Sequence, residues 1–161
     1  IKQHTGGKIV AADVNLPGIA HNNWVLNWWP WVTASYLNSG RIDYVNTMSY
    51  HWNLNGDIAA WEKDIFVMKN IYKWDLTRVN LGVPYYSMNF TSQPTWKGLS
   101  PYCPNIAPDV NECHGVTFVG KRMQQRIGRL ARKHGMGVFP WAAPSYDAHD
   151  ANNTMIHWLT S

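Results

Sequence analysis

Short apolar runs recur along the chain, and the pattern of each run predicts a strand. Strands that are buried on both faces read as nearly continuous apolar or β-branched segments bounded by turn residues. Four segments fit this description, at residues 8–14, 42–50, 78–85 and 137–141. The sequence therefore predicts four buried strands.

Helical periodicity separates these runs. Apolar residues recur at three- and four-residue spacing through two longer segments, which predicts a helix over residues 57–74, capped by Asp57, and another over residues 120–134. Shorter helical segments are predicted at residues 32–37 and 155–159. Strands and helices thus alternate from one end of the chain to the other.

This alternation predicts an α/β fold with parallel strands, because parallel strands need crossover connections that helices usually supply. Four such units amount to half of an eight-stranded (β/α)₈ barrel, which needs about 250 residues, whereas this chain has 161. We expect either an open sheet or a part of a larger protein. Residues 86–118 are loop-rich and contain several prolines, which predicts a loop insertion there.

The aromatic content points to carbohydrate. The chain has 10 Trp, 8 Tyr and 4 Phe, which is more than packing alone requires. Flat rings with a polar edge bury area at low entropic cost and suit the faces of sugars. Aromatic and hydrogen-bonding residues also stand at the predicted ends of all four strands, where the chemistry of α/β barrels gathers.

The net charge of +4 selects no partner by itself. One predicted helix nevertheless carries six positive charges and no acidic residue. An outer helix with a solvated basic face is the favoured interpretation, and a polyanion-binding surface is the alternative. The six residues are Lys121, Arg122, Arg126, Arg129, Arg132 and Lys133.

The two cysteines, Cys103 and Cys113, favour a local disulfide over a metal site, which needs more ligands. Asn89 and Asn152 fit the acceptor pattern for N-glycosylation. Both features predict a secreted protein. No metal or other cofactor is expected, because the histidines are scattered, and no membrane contact is expected, because no apolar stretch reaches eighteen residues.

Three segments in order resemble glycoside hydrolase family 18, the chitinases and chitinase-like proteins. Residues 43–50 (DYVNTMSY) resemble the family's sixth strand, and residues 81–86 (LGVPYY) resemble its seventh. Residues 137–141 (GVFPW), followed by residues 145–147 (SYD), are similar to its eighth strand, and residues 8–14 then take the place of the fifth. The resemblance implies the C-terminal part of a (β/α)₈ barrel, strands five to eight, over residues 1–161.

The resemblance also implies roles for individual residues. Chitin hydrolysis in this family is substrate-assisted, with the sugar's own acetamide as the nucleophile. Tyr50 would hydrogen-bond that acetamide, Met48 would line the pocket, and Trp141 would stack beneath the sugar. Flanking sugar-binding positions would come from Trp52, Tyr85 and Tyr86.

The departures from the family pattern concern the acid. Its general acid is a Glu that closes an Asp-x-x-Asp-x-Asp-x-Glu segment, which this sequence lacks. The two glutamates, Glu62 and Glu112, stand away from the strand ends; His51 and Ser87–Met88 also depart from the family's usual residues. The resemblance implies a hydrolase of β-1,4-linked N-acetylglucosamine polymers whose acid lies in a missing N-terminal half. A lectin-like protein that binds chito-oligosaccharides without cleaving them is the alternative.

Overall fold

Four parallel strands form the sheet at the centre of the described chain. The computed structural model describes residues 6–14, 34–48, 57–85, 95–141, 147 and 154–161. The strands of this sheet are β1 (Ala11–Val14), β2 (Tyr44–Thr47), β3 (Val79–Pro84) and β6 (Gly137–Trp141). A separate antiparallel hairpin is formed by β4 (Glu112–Cys113) and β5 (Val116–Thr117).

The strand order in the sheet is β1-β2-β3-β6, so each strand lies beside the next one that joins the sheet. The register pairs Asp13 with Asn46, Asn46 with Asn80, and Asn80 with Gly137. All three pairings are parallel. The predicted α/β class with a parallel sheet is therefore confirmed, and all four predicted strands are present, most of them shorter than the apolar runs.

Helices follow the strands along the chain. They are α1 (Ala34–Asn38), α2 (Ile58–Asn70), α3 (Trp96–Leu99), α4 (Lys121–Lys133) and α5 (Met155–Thr160), with a 3₁₀ turn at Leu76–Arg78. Asp57 caps α2 as predicted, because its side chain accepts a hydrogen bond from the Ala59 backbone N–H at 3.0 Å. None of the helices in the described part of the chain has the length and hydrophobicity that a bilayer crossing requires.

The hydrophobic core lies between one face of the sheet and the helices. From α2, the fully buried Trp61 donates its indole N–H to the carbonyl of Gly82 in β3 at 3.0 Å. In a second aromatic cluster, Trp96 contacts both Phe118 and Trp158. The ring centroid of Trp96 lies 5.1 Å from that of each partner. These contacts tie the helical layer to the sheet that it covers.

Helices α4 and α5 approach each other closely at one glycine. A Cβ atom on Gly128 would collide with the backbone carbonyl of Leu159, so only glycine fits at this point of α4. Gln124, Ile127 and Ala131 are buried on the same side of α4. The opposite side of the helix is left to solvent.

The described part of the predicted insertion has structure of its own. Thr95 caps α3, with its hydroxyl accepting from the Gly98 N–H at 3.1 Å. The Cys103–Cys113 disulfide then joins the turn after α3 to strand β4 of the β4–β5 hairpin. The predicted disulfide is thus present in the structure.

Candidate functional site at the carboxyl edge of the sheet

The carboxyl ends of the four parallel strands meet along one edge of the sheet. Val14, Thr47, Pro84 and Trp141 are the last residues of the respective strands. Loops that leave this edge of an α/β sheet form the binding sites of such folds. We therefore take this carboxyl edge as the candidate site.

The two faces of the sheet differ in exposure. Side chains alternate along a strand, and most of those on the helix-covered face are buried. The buried ones are Val14, Val45, Thr47, Val79, Leu81 and Val83, whereas Ala12, Val138 and Pro140 are half-buried. The other face, which we call the open face, carries exposed residues at Ala11, Asp13, Tyr44, Gly137 and Trp141. On the open face, Gly82 and Pro84 of the central strand β3 are nevertheless buried.

A row of polar side chains crosses the open face. The Asn46 amide donates to Asp13 Oδ1 at 2.8 Å, and the Asn80 amide donates to Asn46 Oδ1, also at 2.8 Å. Gly137 continues the row on β6, where the side chain of Asn80 occupies the space that a Cβ would need. The row fixes the register of the strands one layer below the carboxyl edge.

Met48 directly follows β2 at this edge. Its backbone N–H donates to the carbonyl of Val14 at 2.8 Å, which keeps it beside β1. The buried hydroxyl of Thr47 donates to the Asn80 carbonyl at 3.4 Å and accepts from the Gly82 N–H at 3.2 Å, which joins β2 to β3. Met48 is half-buried and packs against the hydrophobic core.

Trp141 is the large aromatic residue at the end of β6. It keeps 38% of its surface exposed, and its ring centroid lies 6.0 Å from that of Phe139, with the planes tilted by 59°. The register pairs Trp141 with Pro84 and Phe139 with Gly82. The two aromatic rings therefore share the open face, and Trp141 retains surface against which a flat apolar ligand can stack.

Tyr85 does not offer such a surface, because it has no exposed area. Its hydroxyl is buried and has no hydrogen-bond partner among the described residues. Burial, together with the negative charge of Asp147, raises the pKa of the Tyr85 hydroxyl. Tyr85 here contributes to the core and not to an accessible surface.

Asp147, in the segment that follows the predicted strand at 137–141, has a structural role. Its two carboxylate oxygens accept from the Met155 and Ile156 backbone N–H groups, at 2.7 and 3.1 Å. Thr154 completes the cap by accepting from the His157 N–H at 3.2 Å. These bonds satisfy the free N–H groups at the start of α5, where a negative charge is also favourable.

Neither glutamate lies at the carboxyl edge. Glu62 is exposed on α2, and Glu112 is exposed in the hairpin. A carboxylate that the sequence analysis did not single out, Asp64, is fully buried on α2, on the same side as Trp61 and Met68. In the sequence, the burial of Asp64 is indicated only by its position, which falls at helical spacing from the apolar residues of α2.

The sulfur atoms of Cys103 and Cys113 lie close to a ring nitrogen of His114. The sulfurs are joined in the disulfide and are not thiolates, which are the form that binds metal. The His114 Nε2 lies 3.3 Å from the carbonyl oxygen of Tyr102. As it stands, this group closes a loop and does not offer a metal centre.

Five residues that the sequence analysis selected lie outside the described residues. They are Tyr50, Trp52 and Tyr86 of the predicted sugar site, and Asn89 and Asn152 of the predicted glycosylation sites. The structure places Met48 and Trp141 at the carboxyl edge, beside strands that β3 separates, and it places Tyr85 in the core. The roles assigned to all of these residues stay predictions.

The fold is similar to about half of each of three solved chitinases. A chitinase from Bacteroides thetaiotaomicron is similar with a TM-score of 0.72 and 16% identity, and the match covers 95% of this chain and 51% of that one. A GH18 chitinase from a chitin utilization locus of Flavobacterium johnsoniae has a TM-score of 0.71 and 15% identity, covering 98% and 50%. A chitinase from Rhizomucor miehei has a TM-score of 0.60 and 18% identity, covering 94% and 54%.

This chain therefore spans about half the length of the chitinases that it resembles. No protein-family model matches the sequence, and no curated protein matches it. The resemblance drawn from the strand motifs is confirmed at the level of the fold. At such low identity, activity does not follow from the likeness.

Proposed function

We propose that this chain is the C-terminal half of a (β/α)₈ barrel, strands five to eight with their helices, in a secreted chitinase-like glycoside hydrolase. On this proposal residues 1–161 form one part of the barrel, with an insertion at about residues 86–118. The substrates are β-1,4-linked N-acetylglucosamine polymers and their oligosaccharides. The observation that carries the proposal is the exposed Trp141 at the carboxyl end of β6, on the open face of a sheet with the fold of chitinases.

The missing partner of the barrel is an N-terminal half that covers the open face. Parallel sheets are normally buried on both faces. Here Asp13 and Tyr44 are exposed on the open face. In a closed barrel, side chains on the corresponding face of the strands point into a packed interior. The coverage of about half of each similar chitinase supports the same conclusion.

Trp141 forms the floor of the proposed sugar site. A pyranose ring presents a flat apolar face of C–H groups, and an indole stacks against it while the hydroxyls stay free to hydrogen-bond. Phe139 supports the indole from the neighbouring position on the same face. Met48, which directly follows β2, lines the proposed site beside it.

Tyr50 supplies the polar contact to the substrate. The two-residue alternation of β2 places Asn46 on the open face, and the same period predicts Tyr50 on that face two steps further on. Its hydroxyl donates to the acetamide carbonyl of the sugar, which acts as the nucleophile in substrate-assisted cleavage. Trp52 and Tyr86 extend the site, and the same alternation favours Tyr86 over the buried Tyr85.

Protonation of the leaving group needs an acid, and neither glutamate of this chain lies at the carboxyl edge. Glu62 and Glu112 are both exposed and remote from the strand ends. A hydrolase must therefore carry its general acid in the N-terminal half. Without such an acid the same aromatic surface would serve a chito-oligosaccharide-binding lectin, which is the second candidate function.

The test is made in the complete protein with a chito-oligosaccharide. Trp141→Ala and Tyr50→Phe should each weaken binding or turnover by about tenfold or more, since one removes the stacking surface and the other the hydrogen bond that orients the acetamide for attack. Phe66→Ala is the matched control, because Phe66 is 60% exposed on the outer helix α2. It should leave both quantities unchanged.

Unchanged binding and turnover in both variants would refute the proposed site. Binding without any cleavage by the unmodified protein would favour the lectin. Release of shorter oligosaccharides would establish the hydrolase.

A further inference from the structure

The outward surface of α4 carries four cations in a line. Arg122, Arg126, Arg129 and Lys133 follow each other at spacings of four, three and four residues, and all four are exposed. At about 100° per residue they fall within roughly 60° of the helix circumference, and at about 1.5 Å per residue the line is about 16 Å long. We call these four residues the basic stripe.

The stripe has no ion-pair partner in the described part of the fold. The sequence of α4 contains no acidic residue, and no described carboxylate forms an ion pair with the stripe. Like charges at spacings of three and four residues destabilise a helix. The apolar side of α4 is occupied, because Ile127 and Ala131 are buried in the core.

The other cations of α4 are arranged differently. Arg132 donates to the carbonyl oxygens of Thr160 and Ser161, at 3.4 and 3.2 Å, and so holds the end of α5. Lys121 is half-buried at the start of the helix. The stripe is therefore distinct from the residues that join α4 to its neighbour.

A second element adds positive charge at the end of the stripe. The pKa of His134 is lowered, first by partial burial and then by the charges of Lys133 and Lys69. Lys69 belongs to the last turn of α2. The positive field therefore extends from α4 onto the adjoining end of α2.

We propose that the basic stripe binds a linear polysaccharide that carries carboxylate or sulfate groups. Arginine matches both groups with two parallel N–H donors, and a row of cations on a straight helix matches charges repeated along an extended polymer. Because α4 covers the buried face of the sheet, this surface is separate from the carboxyl edge. The inference goes beyond the proposed function, whose substrate is an uncharged polymer.

Two other polyanions fit less well. Single-stranded nucleic acids are held by aromatic residues that stack on bases, and α4 has no aromatic residue. Anionic membranes bind helices whose apolar face is free to enter the lipid, whereas that face of α4 is buried in the core. The disulfide also favours an oxidising compartment outside the cytosol, where acidic polysaccharides occur.

The experiment uses the complete protein with heparin fragments and polygalacturonate as probes, titrated at several salt concentrations. The double variant Arg126→Gln/Arg129→Gln should weaken binding by about tenfold and reduce the salt slope by about two, which is roughly one for each lost contact. The control Lys63→Gln/Lys97→Gln removes the same charge from exposed positions outside the stripe. It should change affinity by less than about twofold.

Three results would overturn the proposal. In the first, the stripe variant binds both polysaccharides as tightly as the unmodified protein. In the second, both double variants lose affinity equally, which would indicate attraction by net charge alone. In the third, a single-stranded oligonucleotide or an anionic phosphatidylserine vesicle binds more tightly than either polysaccharide. Chito-oligosaccharide binding by the stripe variant should stay unchanged, which separates this test from that of the carboxyl edge.

Discussion

At the scale of single residues, the polar row on the open face shows how side chains set the register of the sheet. Asn46 both donates to Asp13 and accepts from Asn80, so it is satisfied on both sides only in the observed pairing. A slip by one residue would turn these side chains to the buried face. Gly137 completes the row by leaving room for the Asn80 amide.

Residue by residue, the sequence indicated some positions of the site and not others. The motif of β6 predicted Trp141 at a strand end, and the structure leaves it exposed there. The motif of β3 predicted both Tyr85 and Tyr86 as sugar-binding residues, because composition does not show which of two adjacent tyrosines faces a ligand. Strand alternation accounts for the burial of Tyr85, which follows Leu81 and Val83 onto the buried face.

The buried hydroxyl of Tyr85 leads to a prediction about alkaline pH. Its pKa is raised by burial and by Asp147, so above about pH 10 the unfolded chain loses this proton while the folded chain keeps it. Stability that is complete below pH 10 therefore falls as the pH rises, by up to about 1.4 kcal/mol per pH unit. Tyr85→Phe removes a hydroxyl that has no partner among the described residues and should remove this loss.

Urea unfolding at pH 7, 10 and 11 measures the effect. The stability of Tyr85→Phe relative to the unmodified protein should increase across this series. Tyr102→Phe is the control, because Tyr102 is 74% exposed and should show no such trend. Parallel pH profiles for Tyr85→Phe and the unmodified protein would contradict the assignment.

At the scale of elements, periodicity located most of the described helices and strands. The predicted helix at 120–134 is observed as Lys121–Lys133, and the strand at 137–141 has its predicted bounds. Helix α2 ends at Asn70 although residues 71–74 continue the apolar pattern. Lys73 adopts a left-handed backbone conformation, and Trp74 reaches the core from the turn that follows the helix. The apolar residue at position 74 therefore matched the helical spacing in the sequence without being part of the helix.

The β4–β5 hairpin was not predicted. Its strands have two residues each, and its turn places both His114 and Gly115 at positive φ. Turns of this kind usually signal themselves by Asn-Gly or Asp-Gly, and histidine at the first position gives a weaker signal. The disulfide partner Cys113 lies within β4, so this bond holds the hairpin against the preceding loop.

The contact of α4 with α5 gives a prediction at this scale. Gly128→Ala places a methyl group against the backbone carbonyl of Leu159, and backbone cannot yield as a side-chain end does. We expect a loss of about 1–3 kcal/mol in the free energy of unfolding. Gly98→Ala is the matched control, since a Cβ there meets only an ordinary contact with Thr95.

Chemical denaturation of both variants measures the difference. Gly98→Ala should be neutral or slightly stabilising, because alanine favours helix over glycine. Equal stabilities for the two variants would show that the helices are not in contact at Gly128.

At the scale of the whole molecule, the two faces of the sheet contrast in what covers them. Helices cover one face, while the other keeps Asp13, Tyr44 and Trp141 exposed among the described residues. The sequence predicted four β/α units and too short a chain for a barrel. The N-terminal half that we propose to cover the open face is not among these residues, so the environment of that face could not be predicted from them.

A charge on the open face tests whether it is covered in the complete protein. Tyr44 is 40% exposed here, and the proposed N-terminal half would bury it. Tyr44→Lys should then destabilise the complete protein by about 2 kcal/mol or more, because a buried charge without a partner is costly. The matched variant Tyr102→Lys, at a position that is 74% exposed, should change stability by no more than about 0.5 kcal/mol.

Denaturant titration of the two lysine variants gives the comparison. If Tyr44→Lys costs no more than Tyr102→Lys, the open face is solvent-exposed in the complete protein. The half-barrel interpretation would then be wrong.

The most direct measurement is a crystal structure of the complete protein with a bound chito-oligosaccharide. In that structure a sugar ring should lie parallel to the indole of Trp141, with heavy atoms within about 4 Å, and its acetamide should lie against the hydroxyl of Tyr50. A saccharide bound elsewhere, or a Trp141 indole buried by protein or turned away from Tyr50, would contradict the proposed site.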